Sequence, residues 1–146
     1  IREYTMYVTR LIYCSRVTDV FHHDSIADIL RASHRHNFDD DITGILCFSN
    51  NYFLQCLEGS RTLVNHLYQK LVLDPRHTDL MLLGFETVVS RSFYHWSMAY
   101  VGEENFQKAS ALLLKHSGSR EFNPYHLTDE AAFHLLHDLS KALQLD

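Results

Sequence analysis

Two prolines and five glycines in 146 residues leave little material for a linker, and the chain has no Pro/Gly-rich stretch, internal repeat or low-complexity tract. It has no run of about eighteen apolar residues, which excludes a transmembrane helix. It has no basic stripe: 13 Lys and Arg against 18 Asp and Glu give a net charge of −5, which argues against nucleic acid as the main partner. Cysteine is scarce. Cys14, Cys47 and Cys56 each sit in a strand-like apolar run and form no CxxC pair, so they are expected to be reduced core residues of a cytosolic protein. The first six residues lack the basic-then-apolar pattern of a signal peptide and an initiator Met, so a trimmed start is expected. What is present, 46% hydrophobic and 21% charged residues, suits one globular domain with a sizeable core.

The most informative stretch is residues 44–59, two apolar runs around Ser49-Asn50-Asn51. Its turn chemistry predicts a β-hairpin. Before it, residues 9–15 read as a first strand with Leu11 and Tyr13 on one face and Ile12 and Cys14 on the other. Both faces are apolar, so both should be covered. Asp24 or Ser25 is placed to cap a helix carrying Ile26, Ile29 and Leu30 to about His36, with Asn37 as its terminator and Asp39-Asp40-Asp41 in the following loop. After the hairpin, Gly59-Ser60 caps a second helix with Leu63, Val64, Leu67, Tyr68 and Leu71 on one face, which Asp74-Pro75 stops. Strands are predicted at residues 80–89 and 96–100, and helices at about 104–115 and from a Thr128 cap through Leu143. The order βαββαββ followed by two helices predicts an α+β, ferredoxin-like fold. Its five-stranded mixed sheet would carry the two core helices on one face and the two C-terminal helices on the other.

Gln55 stands out because it interrupts an apolar strand. A buried amide needs partners, and one that has them at a ligand site reads a hydrogen-bonding edge. By itself, Gln55 fits better a side chain bonded to a neighbouring backbone group than a ligand contact. The eleven histidines make the charge pH-sensitive near neutrality but give no metal set. His34 and His36 do not face each other on a helix, His22-His23 lack a partner, and His134, His137 and Asp138 read as a solvated surface.

Several frames occur in a telling order: Arg10-Leu11-Ile12-Tyr13-Cys14-Ser15, Ile42-Thr43-Gly44-Ile45-Leu46-Cys47, Phe53-Leu54-Gln55 with Leu57-Glu58-Gly59, Asp74-Pro75-Arg76-His77, and Trp96-Ser97-Met98. Together with Asn37 they resemble the BLUF family, blue-light sensors that use flavin, from about residue 9 to residue 101. The tail, around Leu112-Leu113-Leu114-Lys115-His116-Ser117-Gly118, is similar to short, stand-alone PixD-type members. The resemblance implies a flavin domain over residues 1–101 and a two-helix extension over 102–146. It implies a ring held between the core helices by Ile29 and Leu71, with Phe53 lining the pocket. Asn37 and His36 would meet one ring edge, and Gln55, bonded to Tyr13, the other. Lys70 stands where many relatives have Arg, which keeps the charge and loses the planar fork. Asp74, Arg76 and His77 match the frame near the ribityl or phosphate end. No glycine-rich loop grips a phosphate, so FAD is expected with FMN as the alternative.

The mechanism implied is a reversible one. Tyr13 supplies an electron and a proton to the light-excited flavin, Gln55 relays the proton and ends in a changed hydrogen-bonding state, and Trp96 and Met98 on the fifth strand relay the change to the C-terminal helices. No substrate is converted, so the chain is not expected to be an enzyme. The resemblance further implies a homo-oligomer, a dimer or larger ring, and a response-regulator-like protein partner, often in phototaxis. Two alternatives stand beside it. One is the sensor part of a longer light-regulated nucleotide cyclase or phosphodiesterase. The other is a flavin-free ferredoxin-like enzyme such as a small phosphatase, for which the chain lacks a phosphate loop and a catalytic Arg/Asn pair.

Overall fold

The computed structural model describes residues 7–142; Leu143, expected on the last helix, lies outside them. A five-stranded sheet has the order β4-β1-β3-β2-β5. Its strands are β1 (Val8–Val17), β2 (Thr43–Ser49), β3 (Tyr52–Gly59), β4 (His77–Val88) and β5 (Ala99–Val101). The β1–β3, β1–β4 and β2–β3 pairs are antiparallel and β2–β5 is parallel, the mixed ferredoxin-like arrangement expected.

The hairpin turn is tighter than the tripeptide Ser49-Asn50-Asn51. Ser49 pairs with Tyr52, and Asn50 and Asn51 alone make the connection with φ of 53° and 66°. Two consecutive left-handed residues match the right-handed twist of a hairpin, and asparagine tolerates that conformation. Gly44 is required in β2, because a Cβ there would run into the carbonyl oxygen of Cys56.

Two helices, α1 (Ser25–Asp39) and α2 (Arg61–Val72), pack on one face of the sheet. Leu11, Tyr13, Leu46, Phe53 and Leu57 from the strands meet Ile29, Leu30, Val64, Leu67 and Leu71 there. The other face carries Ile12, Cys14, Ile45, Cys47, Leu54 and Cys56. It is covered by Phe106, Leu113, Leu127, Ala132, Leu135, Leu136 and Leu139 from the C-terminal region. The period-two split of β1 thus feeds two cores, one on each side of one sheet. All three cysteines are buried and free, and burial raises each thiol pKa, to about 11 for Cys14.

Ser60 caps α2 by accepting from the Leu63 N–H, as expected. Several boundaries differ from the expectation. Asp24 precedes α1 without a side-chain cap, because Ser25 Oγ accepts instead from the His22 N–H. Asn37 does not end α1; its side chain turns inward, and the left-handed residue after the helix is Asp41. The fourth strand starts at His77 because residues 77 and 78 pair with Val17 and Arg16. The fifth strand shortens to Ala99–Val101, leaving Trp96 and Met98 before it. The first C-terminal helix divides at Ala109 into α3 (Glu103–Lys108) and α4 (Ser110–Ser117). A 3₁₀ turn (Pro124–His126) and α5 (Asp129–Ala142) complete the cover. Among the described residues no helix is long and apolar enough to cross a membrane.

One feature of the core has no counterpart in the sequence pattern. Glu58 is fully buried and opposes Arg10 across β1 and β3. Its carboxylate accepts from Arg10 Nε at 2.9 Å, from the Ser92 N–H at 2.9 Å and from the Phe93 N–H at 2.8 Å. The Arg10 guanidinium lies 4.1 Å from the centre of the Phe133 ring on α5. Breaking a buried pair from one side leaves an uncompensated charge. Glu58→Ala is therefore expected to cost about 3–5 kcal/mol in chemical denaturation, and Arg10→Met with Glu58→Leu to recover most of that loss.

Candidate functional site

Between α1, α2 and the sheet lies a cavity of about 620 Å³. Each element contributes through its period. Ile29, Ser33, His36 and Asn37 fall on one side of α1, and Leu63, Leu67, Lys70 and Leu71 on one side of α2. Tyr13, Leu46, Phe53 and Gln55 rise from the strands between them. Asp74, Arg76 and His77, from the α2–β4 connection and the start of β4, close one end.

The structure brings all eleven residues expected around a cofactor to this one cavity: Tyr13, Ile29, His36, Asn37, Phe53, Gln55, Lys70, Leu71, Asp74, Arg76 and His77. It separates the two expected relay residues. Met98 is 3% exposed and packs among the residues of the α1/α2 face. Trp96 packs with Phe93 and the opposite core, and its indole Nε1 is the one buried side-chain nitrogen or oxygen among the described residues that lacks a hydrogen-bond partner. Leu63, Leu67, His66 and Asp40 also line the cavity. The apolar period of α2 marks Leu63 and Leu67, which the sequence reading assigned to packing; nothing in the pattern singles out His66 or Asp40.

At the cavity wall, Tyr13 and Gln55 oppose each other directly across β1 and β3. The Tyr13 hydroxyl donates to Gln55 Oε1 at 2.5 Å, and Gln55 Nε2 donates to Met98 Sδ at 3.4 Å. The phenol can donate or accept, whereas a thioether only accepts, so it is the Met98 contact that places the nitrogen end of the amide. Burial pushes the Tyr13 phenol far above its usual value, with smaller contributions from Tyr68 and Asp74, so the ground-state tyrosine keeps its proton. Asn37 Nδ2 donates to the Ser97 carbonyl at 2.8 Å.

His77 is fixed at both nitrogens, Nδ1 against Ser15 Oγ at 2.8 Å and Nε2 against the Leu71 carbonyl at 2.5 Å. A carbonyl only accepts, so Nε2 carries the proton and Ser15 donates to Nδ1 when the ring is neutral. This ties β1 to the end of α2 beside Leu71. Arg76 is paired with Asp74, Nη2 to Oδ2 at 2.6 Å with two further bonds from Nε.

This donor set suits a flat ring with a polar edge. Ile29, Leu46, Phe53, Leu63, Leu67 and Leu71 give the cavity apolar walls, with polar side chains set among them. Gln55 keeps one Nε2 hydrogen uncommitted, and Asn37 Oδ1 has no partner among the described residues. A flavin presents flat apolar faces and carbonyl and nitrogen atoms along its edges, and these residues match it. Arg76 is paired with Asp74, and Lys70 and His66 are further basic side chains in the lining.

The chain belongs to the BLUF family: the model described as sensors of blue-light using FAD matches residues 8–99. It is 30% identical to the protein in a structure of the BlsA photo-activated state, covering 90% of this chain and 94% of that one with a TM-score of 0.81. It is 28% identical to BlrB, a BLUF protein in its dark state, covering 96% of this chain and 99% of that one with a TM-score of 0.78. Among curated proteins it is 33% identical over 98 residues to photoactivated adenylate cyclase subunit beta of Euglena longa, covering 66% of this chain and 11% of the cyclase subunit. The chain therefore spans about a tenth of that relative's length.

The Asp74–Arg76 pair makes a pH prediction. The Arg76 hydrogen bond holds the Asp74 carboxyl below its ordinary 3.8. A group whose folded pKa is depressed adds stability above its unfolded pKa and loses it as pH falls through the folded value. Asp74→Asn should lower the denaturant midpoint at pH 7 by a small amount, since the pair is partly exposed. The gap from wild type should close as the pH is taken below 3.8.

Proposed function

We propose that this chain is a blue-light switch in which Tyr13 and Gln55 are the reacting pair and Met98 is the first element to sense their change. The observation that carries the reading is the buried chain of contacts Tyr13–Gln55–Met98 at the wall of the cavity.

Ile29, Phe53, Leu63, Leu67 and Leu71 would hold the flavin by its faces, and Gln55, Asn37 and His36 by its edges. When bound, the flavin supplies blue absorption and an excited state that accepts one electron. Tyr13 is the donor in this reading. On losing an electron the phenol becomes a strong acid, and its proton has a short exit, the Gln55 Oε1 at 2.5 Å. A Gln55 that takes up this proton, or rotates, exchanges an accepting for a donating end. Tyr13, Met98 and the cavity then meet a different hydrogen-bonding pattern, a local two-state element of the kind that biases larger ones. Return of proton and electron to Tyr13 restores the start, and no substrate is consumed.

FAD is the proposed cofactor, with FMN as the alternative, because Lys70 and His66 form a sparse phosphate site. Residues 1–101 are proposed as the flavin unit and 102–146 as the extension that passes the change on. The output proposed is binding of a response-regulator-like protein by a homo-oligomer, without catalysis. A second reading, the sensor part of a longer light-regulated nucleotide cyclase, is favoured by the match to the Euglena longa cyclase subunit.

Absorption spectra of the pure protein in the dark, under blue light and during dark recovery test the switch. A small, reversible red shift of a flavin spectrum is expected. Gln55→Leu should retain flavin and lose the shift; a normal shift in that variant removes Gln55 from the mechanism. Tyr13→Phe should lose photocycling, and normal cycling would transfer the donor role to another residue.

A further inference from the structure

The segment between Arg91 and β5 belongs to no strand, yet three of its successive carbonyls are each held by a donor from elsewhere. The Trp96 carbonyl accepts from the Gly44 N–H at 3.1 Å, the Ser97 carbonyl from Asn37 Nδ2 at 2.8 Å, and the Met98 carbonyl pairs with His34 Nε2 at 3.0 Å. The first donor is backbone of β2, and the other two are side chains of α1. Residues 34 and 37 are three apart, so one face of α1 grips the segment. The same helix lines the cavity with Ile29 and Asn37.

We infer that His34 is a positioning residue of the switch: it holds the Met98 carbonyl and so seats the Met98 thioether against the Gln55 amide. The inference rests on the Tyr13–Gln55 reading above. A carbonyl has no proton to give, so Nε2 is the donor in this bond. Sulfur is a weak acceptor, and 3.4 Å from Gln55 Nε2 is a weak hold on Met98. The register of Met98 therefore depends on its backbone. Its carbonyl is tied to α1 by His34, which is exposed, and the carbonyl before it by Asn37, which is buried. When Gln55 changes its donating end, the sulfur contact is lost and the backbone ties remain. Recovery requires Met98 to return to Gln55, and His34 keeps it within reach.

The test separates the hydrogen bond from mere packing. His34→Leu removes the donor, and His34→Gln keeps an N–H of similar reach. His34 is exposed, so both variants should fold and carry flavin with the wild-type dark spectrum and red-shift amplitude. His34→Leu should slow dark recovery by about two- to tenfold, the rate equivalent of one neutral hydrogen bond. His34→Gln should recover at the wild-type rate. Without flavin, the Met98 methyl resonance should move in His34→Leu and return in His34→Gln. Recovery of His34→Leu at or above the wild-type rate, or failure of His34→Gln to restore it, overturns this assignment alone. Absence of a red shift in the flavin-loaded wild type overturns the Gln55 reading and this inference with it.

Discussion

The direct pairing of Tyr13 with Gln55 across β1 and β3 is the constraint on which the rest depends. A two-residue turn fixes the β2–β3 register, and two strand ladders fix β1 between β3 and β4. A slip of one residue would turn Gln55 to the opposite face, among the apolar residues around Cys47, Ile45 and Leu136, and away from Tyr13. It would also send Tyr13 away from the cavity. The apolar residues on both faces of β1 and β3 thus do more than fill two cores. They make any register but this one expensive, and so hold a phenol and an amide at 2.5 Å.

Much of this arrangement is legible in the chain because it follows from periods. The alternation Leu11, Ile12, Tyr13, Cys14 assigns each side chain to its face before any contact is known. The apolar stripe of α2 runs through Leu63, Leu67 and Leu71, all of which line the cavity. What the chain conceals are choices made by tertiary partners. Asn37 reads as a helix terminator, yet its amide is turned inward to the Ser97 carbonyl, and Asp41 adopts the left-handed conformation in its place. Trp96-Ser97-Met98 reads as strand. Its carbonyls, however, are held by Gly44, Asn37 and His34 before parallel pairing begins at Ala99. Glu58 reads as a polar residue at a strand end, and only the fold brings Arg10, Ser92 and Phe93 to it.

These hidden partners share a location. The connection from β4 to β5 crosses from one side of the sheet to the other. At its start Ser92 and Phe93 are fastened to buried Glu58, and Phe93 packs against Phe133 of α5. At its end Ser97 and Met98 are fastened to α1 on the cavity side. Trp96 lies between the two attachments with an indole N–H that has no acceptor among the described residues. An unpaired buried donor costs about 1–3 kcal/mol, so the connection, whose backbone is hydrogen-bonded at Trp96 as well as at both ends, carries its unsatisfied group on the Trp96 side chain.

That distribution bears on how a change at Gln55 would travel. The β4–β5 connection starts on buried Glu58, whose partner Arg10 stacks on the same Phe133 that Phe93 touches. A displacement of Met98 would be resisted at its carbonyl by α1 and at the Trp96 carbonyl by the Gly44 N–H, leaving the Trp96 side chain, whose indole N–H has no partner among the described residues, as the part that moves without losing a hydrogen bond. The indole is held by packing on Phe93 and the opposite core, whereas Phe93 and Glu58 are held by hydrogen bonds as well. On the proposed switch, the first structural response to a reoriented Gln55 would fall on residues 96–98, and Trp96 would carry it to Phe93, on which it packs. Coupling between cavity and C-terminal cover would then run through side-chain packing, Trp96 on Phe93 and Phe93 on Phe133 of α5, rather than through hydrogen bonds.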